Sequence, residues 1–298
     1  MQDPVPFPVR RGISLGNTLD APCEGDWGPP VSDGDLRWIA QAGFDTVRLP
    51  VRFAAHWDGR VRPSLMNRVE QIVEAVLSLG LNVILDLHHF DALMEDPERY
   101  GPVAAAIWAE IADRFRGAPD GLIFELLNEP RGRLGAVELQ RLWASLLAVL
   151  RPSHPDRWIV LGGPDHSAAE QVAALPRPGP RIALTFHFYE PFAFTHQQAD
   201  WLPVRHPRRG WGTPQERAAL EAAIARAART DGPVLLGEFG VTEAAPPAAR
   251  RRWIEAVRRA AEAHGMGWCH WALRAGFGVL SPGTHEWRPG LRAALMDG

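Results

Sequence analysis

The sequence predicts an α/β fold, a single (β/α)8 barrel of the TIM type. Three observations predict it. Short runs rich in Ile, Val and Leu alternate along the chain with segments of helical period, the pattern of a parallel sheet covered by helices. There are eight such runs, and eight largely apolar strands favour closure into a barrel over an open sheet. The 298 residues suit one unit of this kind with insertions. No Gly/Ser-rich linker divides them, so one domain over residues 1–298 is expected.

The predicted strands, in order, are Ile13–Leu19, Thr46–Val51, Asn82–His89, Leu122–Pro130, Trp158–Gly163, Ile182–Tyr189, Val234–Gly240 and Trp268–Leu273. Between them the spacing predicts helices over Asp35–Ala42, Ser64–Leu79, Val103–Phe115, Ala136–Leu150, Pro214–Thr230 and Pro247–His264. Ser32 or Asp33 would cap the first, and Gly43, Gly80, Gly117 and Gly265 stand where helices should stop. Trp38, Trp108, Trp143 and Trp253 lie at apolar helical spacing and are expected in the core. The longest irregular stretch, about Glu190–Gly212, follows the sixth strand. Loops of that length are usually functional or disordered, and its Trp201 and Trp211 favour a binding role.

Composition excludes some partners. The net charge of -3 gives no general attraction to nucleic acid or an anionic membrane. All 32 basic residues are Arg, which we read as genome composition. No run approaches the roughly 18 apolar residues of a membrane span, and Met1–Arg11 lacks the apolar core of a signal peptide. A cytoplasmic chain and a secreted one with its signal removed both fit. Cys23 and Cys269 cannot form a disulfide framework, although one bridge between them stays open. A monomer without cofactor is the default expectation. The 12 Trp against 2 Tyr are unusual; indoles stack on sugar faces as readily as they fill cores.

In such barrels chemistry sits at the C-terminal strand ends. Polar residues gather there: Arg48 on the second strand; Asp86, His88 and His89 on the third; Asn128 and Glu129 on the fourth; His187 and Tyr189 on the sixth; Glu238 on the seventh; His270 and Trp271 on the eighth. Any one of these alone reads as an ordinary satisfied polar group. Six strands presenting them at one rim predict a shared cleft. Glu129 and Glu238 end strands that face one another across the barrel. Glycoside cleavage asks for such a pair, one carboxyl to protonate the leaving oxygen and one to attack or to activate water. A separation of roughly 5–5.5 Å gives retention and roughly 6.5–9.5 Å inversion. Glu125, in phase with Glu129, is expected as the buried partner of an Arg such as Arg48, and Asp86 as an internal hydrogen-bond partner. His89 and His270 divide between support and direct contact. Asn17 would reach the cleft from the first strand, and Trp27, Trp201 and Trp211 would offer loop-borne rings for sugar stacking.

These residues resemble glycoside hydrolase family 5, the cellulase family. The match runs in order through Gly12-Ile13-Ser14-Leu15-Gly16-Asn17-Thr18-Leu19, Arg48-Leu49-Pro50-Val51, Asp86-Leu87-His88-His89, Leu127-Asn128-Glu129-Pro130, His187-Phe188-Tyr189, Gly237-Glu238-Phe239-Gly240 and Trp271. Glu24-Gly25-Asp26-Trp27-Gly28, Tyr189-Glu190-Pro191-Phe192 and Phe194-Thr195-His196-Gln197 are similar to bacterial β-1,4-glucanases of broad specificity, with Gln198 where those commonly have Gly. The resemblance implies Glu129 as acid/base and Glu238 as nucleophile. It implies Asn128 on the sugar 2-OH, Arg48 and Tyr189 holding Glu238, His88 and His187 lining the subsite of the attacked sugar, and Trp271 as its floor. Glu129 should then have its proton affinity raised by burial or by Glu238. The implied substrate is a β-1,4-glucan cut internally, with mannan or glucomannan second and exo-acting release of glucose third. A metal-dependent hydrolase using Asp86, His88, His89, His187 and Glu238 would leave Asn128-Glu129-Pro130 unexplained and lacks the usual zinc motifs, so no metal is expected. A carbohydrate-binding barrel without chemistry would not need both carboxylates.

Overall fold

The computed structural model describes residues 6–297. Eight parallel strands close into a barrel in sequence order: β1 (Arg11–Ser14), β2 (Thr46–Val51), β3 (Asn82–Leu87), β4 (Leu122–Glu125), β5 (Ile159–Gly162), β6 (Ile182–Phe188), β7 (Val234–Phe239) and β8 (Gly267–His270), with β8 pairing back onto β1. The expected fold is therefore the observed one. Several ladders stop before the predicted strand ends. β4 ends at Glu125, yet single backbone bonds still run from Leu126 to Val160 and from Asn128 to Leu87. The chain thus stays tied to the wall while it turns toward the cleft.

Two apolar layers hold the wall. Outside, Val47, Leu49, Val83, Leu85, Phe124, Leu161 and Leu236 meet buried helix residues such as Ile72, Trp108, Leu146 and Ile254. Inside, Ile84, Ile123, Val160, Ala183, Leu235 and Cys269 fill the lumen above Trp158 and Phe7, whose rings meet edge to face at 5.1 Å. Cys269 is a buried free thiol and Cys23 an exposed one. The bridge left open from sequence is absent because the two lie in different environments, one in the barrel wall and one on a surface loop.

The main helices are Asp33–Ala42, Pro63–Ser78, Pro97–Arg114, Ala136–Leu150, Pro214–Ala227 and Pro247–Ala263. The first begins earlier than expected because Ser32 and Asp35 form a reciprocal capping box. The third also begins earlier, with Pro97 in its first turn and the Asp96 carboxylate accepting from the Arg99 amide. An unpredicted helix, Leu291–Met296, packs on Pro247–Ala263 and is pinned by Arg258, which donates to the Ala294 and Asp297 carbonyls. Trp108, Trp143 and Trp253 are buried as expected, while Trp38 packs partly buried against Trp287 at 4.8 Å. No helix among the described residues is long and apolar enough to cross a membrane.

Candidate active site

A cleft of about 540 Å³ opens at the C-terminal mouth of the barrel. A shallower hollow of about 620 Å³ lies among Leu175, Arg177 and Asp231, near the starts of β6 and β7, and holds no paired acids. The chemistry therefore belongs to the first.

The floor of the cleft is organised by Arg48, fully buried at the middle of β2. Its guanidinium donates to both oxygens of Glu125 (2.7 and 2.9 Å), to Glu238 Oε1 (2.6 Å), to Asp86 Oδ2 (3.0 Å) and to Asn128 Oδ1 (2.9 Å). Three carboxyls thus surround one cation. Burial pushes Asp86 up to about 7 although Arg48 opposes it, and burial also raises Glu125. With three carboxyls around one cation, repulsion among the acids adds to burial in raising both. The Asp86 carboxylate also accepts from His88 Nδ1, which fixes that ring.

Glu238, at the end of β7, takes its second hydrogen bond from the Tyr189 hydroxyl at 2.8 Å on Oε2. Burial and the charge of Glu238 raise Tyr189 far above its ordinary value, so the phenol stays a donor. Across the cleft, Glu129 Oε1 lies 2.8 Å from His187 Nδ1. His187 Nδ1 also lies 3.7 Å from Glu238 Oε2. One oxygen each of Glu129 and Glu238 and a ring nitrogen of His187 fall within 4.8 Å of one another.

The expected direction for Glu129 is overturned. Burial does push its carboxyl up, but the His187 hydrogen bond and charge outweigh it and hold the group at about 2. His187 moves the other way: burial opposes the imidazolium, but Glu238 and Glu129 together raise it. These opposite shifts favour the imidazole as the place of the pair's proton.

Local sequence explains the aim of these groups. The β6–β7 register shifts between Phe186 and His187, so that His187 faces Glu238 and Gly237 is skipped. A Cβ at Gly237 would collide with Thr185 Oγ1 and stand 3.1 Å from His187 Nε2, so glycine permits the two strands to close at this point. Gly16 does the same for Trp271, whose ring would lie 2.5 Å from an added Cβ. Trp271 in turn lies parallel to His88, with centroids 5.8 Å apart. Asn17, His89 and Glu129 all have positive φ (63°, 49° and 45°). Non-glycine residues in this region cost about 1–3 kcal/mol each and cluster at functional sites.

Of the sequence-predicted residues, Asn17, Trp27, His88, His89, Asn128, Glu129, Tyr189, Trp201, Glu238 and Trp271 line the cleft, with Arg48 and His187 directly beneath. Trp27 and Trp201 are 43% and 58% exposed in the cleft, Trp27 beside His89 and Trp201 beside Phe277. Trp211 does not belong. It is buried, packs against Phe194 and carries Arg217 over its face. Its neighbourhood is fixed by Gln197, which holds Arg209 through both backbone groups, so the loop folds Trp211 inward. His270 is fully buried edge-on to Phe239 and gives no direct contact. Asp20, His196 and Phe277 line the cleft but were not singled out. Asp20 sits in a polar turn after the first strand, and Phe277 follows an unpatterned turn after the eighth; only tertiary packing brings them in. His196 was visible within Phe194-Thr195-His196-Gln197, although nothing there marked it as cleft-facing.

A closed parallel barrel with two close carboxylates, one just after β4 and one on β7, the first set on histidine and the second on arginine and tyrosine, defines the class of barrel glycoside hydrolases. The comparisons are more specific. The profile of the cellulase family, glycosyl hydrolase family 5, matches residues 9–276, and the chain belongs to that family. It is 30% identical to Endoglucanase H of Acetivibrio thermocellus over 279 residues, covering 89% of this chain and 30% of that protein. It is 29% identical to Cellodextrinase A of Ruminococcus flavefaciens, covering 87% and 83%. Among solved structures it is similar to Thermotoga maritima Cel5A in complex with cellobiose, with a TM-score of 0.93 at 32% identity over 97% of this chain and 98% of that one. The same protein in complex with mannotriose gives a TM-score of 0.92, also at 32% identity over 97% and 98%.

Proposed function

We propose that this barrel is a single catalytic unit that hydrolyses β-1,4-glucans internally with retention of configuration, with Glu238 as nucleophile and Glu129 as acid/base. The observation that carries the reading is the approach of the two carboxylates to within 4.8 Å on opposite walls, each with its own distinct set of partners. Arg48 and Tyr189 point both Glu238 oxygens into place for attack on the anomeric carbon. Glu129 protonates the departing oxygen, receiving the proton held by His187 across their 2.8 Å contact. Once the glycosyl ester forms, the charge on Glu238 is lost, and Glu129 and His187 together accept a proton from the incoming water. Asn128 lies within reach of the sugar 2-OH, where a bond that tightens in the transition state contributes most.

A saccharide substrate follows from the exposed indoles that line the cleft and from the ligands of the relatives. Internal cleavage is favoured by the relatives, which are named endoglucanases, and by the two exposed indoles, Trp27 and Trp201, which offer more than one stacking platform in the cleft. Digestion of carboxymethyl-cellulose, barley glucan, lichenan, xylan and glucomannan tests this. Oligosaccharides of mixed length from the glucans are expected; glucose as the sole early product, or activity on xylan alone, would overturn it. Glucomannan cleavage is the second reading, favoured by the relative that holds mannotriose.

A further inference from the structure

Beside the carboxylate pair stands a second cluster that the proposed chemistry does not use as a unit. One carboxylate oxygen of Asp20 and one ring nitrogen from each of His88 and His89 lie within 4.8 Å of one another. All three residues line the cleft. We propose that Asp20, His88 and His89 form a binding site for a borderline divalent cation of the zinc type, which closes the cleft to saccharide when occupied.

Three features beyond proximity support this. His88 gives its Nδ1 to the buried Asp86 carboxylate. That bond sets the tautomer and turns Nε2 toward the cleft, the carboxylate–histidine arrangement that orients imidazole ligands in metal sites. Asp20 is held by the amides of Asn17 and Thr18, at 2.9 and 2.7 Å, one on each oxygen. Its carboxylate is therefore fixed before any ion arrives, and each oxygen keeps a lone pair. His89 sits edge-on between His88 (4.4 Å) and Trp27 (5.8 Å). It is the least buried of the three.

Two imidazoles and one carboxylate suit zinc, nickel or copper and not calcium or magnesium, which prefer oxygen ligands. Zinc bonds of about 2.0–2.2 Å in a tetrahedron put ligand atoms roughly 3.4 Å apart, inside the 4.8 Å within which these three already lie. Three protein ligands leave a fourth position for water, and the hydrated ion takes the space a sugar would fill. The other nearby trio, Glu129, His187 and Glu238, is a poorer host. Its Glu238 already shares its charge with Arg48 and its His187 is engaged by Glu129.

The test is calorimetric titration of the chelator-stripped full chain with zinc chloride, which reads binding without reference to catalysis. One saturable site is expected, kept in Glu238→Gln and weakened by roughly tenfold or more in His89→Ala and Asp20→Asn. Added cellobiose should weaken zinc binding; this arm alone rests on the saccharide reading. His89→Gln serves if His89→Ala fails to fold, with thermal melting as the check. No saturable binding, equal binding in the His89 variant, or a loss confined to Glu238→Gln would overturn the proposal.

Discussion

Glu129 and His187 hold one proton between them, and its position governs how the site responds to pH. The imidazole is raised and the carboxyl lowered, so the pair keeps its proton until the pH passes the raised His187 value. An acid step that draws on this proton fails above that point. The alkaline limb of kcat/KM, which reports the free enzyme, should therefore lie above the ordinary imidazole value of about 6.5. A profile already falling below pH 6 would contradict the pairing. Arg48 sets a second expectation. Its removal as Arg48→Met strands Glu125 and Asp86 in the barrel floor without a counter-charge. Unpairing a buried ion costs about 3–5 kcal/mol, and chemical denaturation should show a loss of that order together with loss of turnover. Glu125 as the partner of Arg48 was legible in sequence from strand parity alone. The direction of the Glu129 shift was not, because it depends on a histidine 58 residues away.

Individual elements divide the two loop tryptophans that sequence treats alike. Trp201 is more than half exposed over the cleft, close to Phe277, whereas Trp211 is 4% exposed. Trp201→Ala should raise KM by roughly threefold to tenfold, the worth of an aromatic contact, without moving the melting temperature. Trp211→Ala should cost about 3–5 kcal/mol of stability. Equal effects on KM would restore the reading of both as sugar platforms. Composition shows how many indoles a loop carries; which of them turns inward depends on partners such as Gln197, fully buried and bonded to Arg209. The β6–β7 contact gives another test. Gly237→Ala would force Thr185 and His187 apart. Overpacking of this kind costs about 1–3 kcal/mol, and kcat should fall further than stability explains because His187 carries the proton of the pair. Unchanged kcat would show that the register shift at Gly237 has no catalytic consequence.

At the level of the whole molecule, the barrel and its rim were legible because each strand announces itself. A parallel strand buried on both faces reads as an apolar run, and the polar residue at its C-terminal end breaks that run at a fixed place. Eight runs in order give the topology, and closure then brings the six polar strand ends, those after β4 and on β7 among them, to one mouth. Element ends were less legible. The ladder of β4 stops at Glu125 while its chain continues to Glu129, and the helix at Leu291–Met296 is stabilised by Arg258 rather than by a strong pattern of its own. Asp20 and Phe277 entered the cleft through turns that carry no periodic signal.

The central claim is that Glu238 attacks the sugar while Glu129 serves the departing oxygen. Mass spectrometry of the chain after reaction with an activated 2-deoxy-2-fluoro-cellobioside addresses it directly, because the fluorine slows release of any covalent intermediate. The account predicts one added glycosyl unit, located on the peptide containing Glu238. A label on Glu129 or any other residue, or turnover giving the inverted anomer with no adduct, would contradict it.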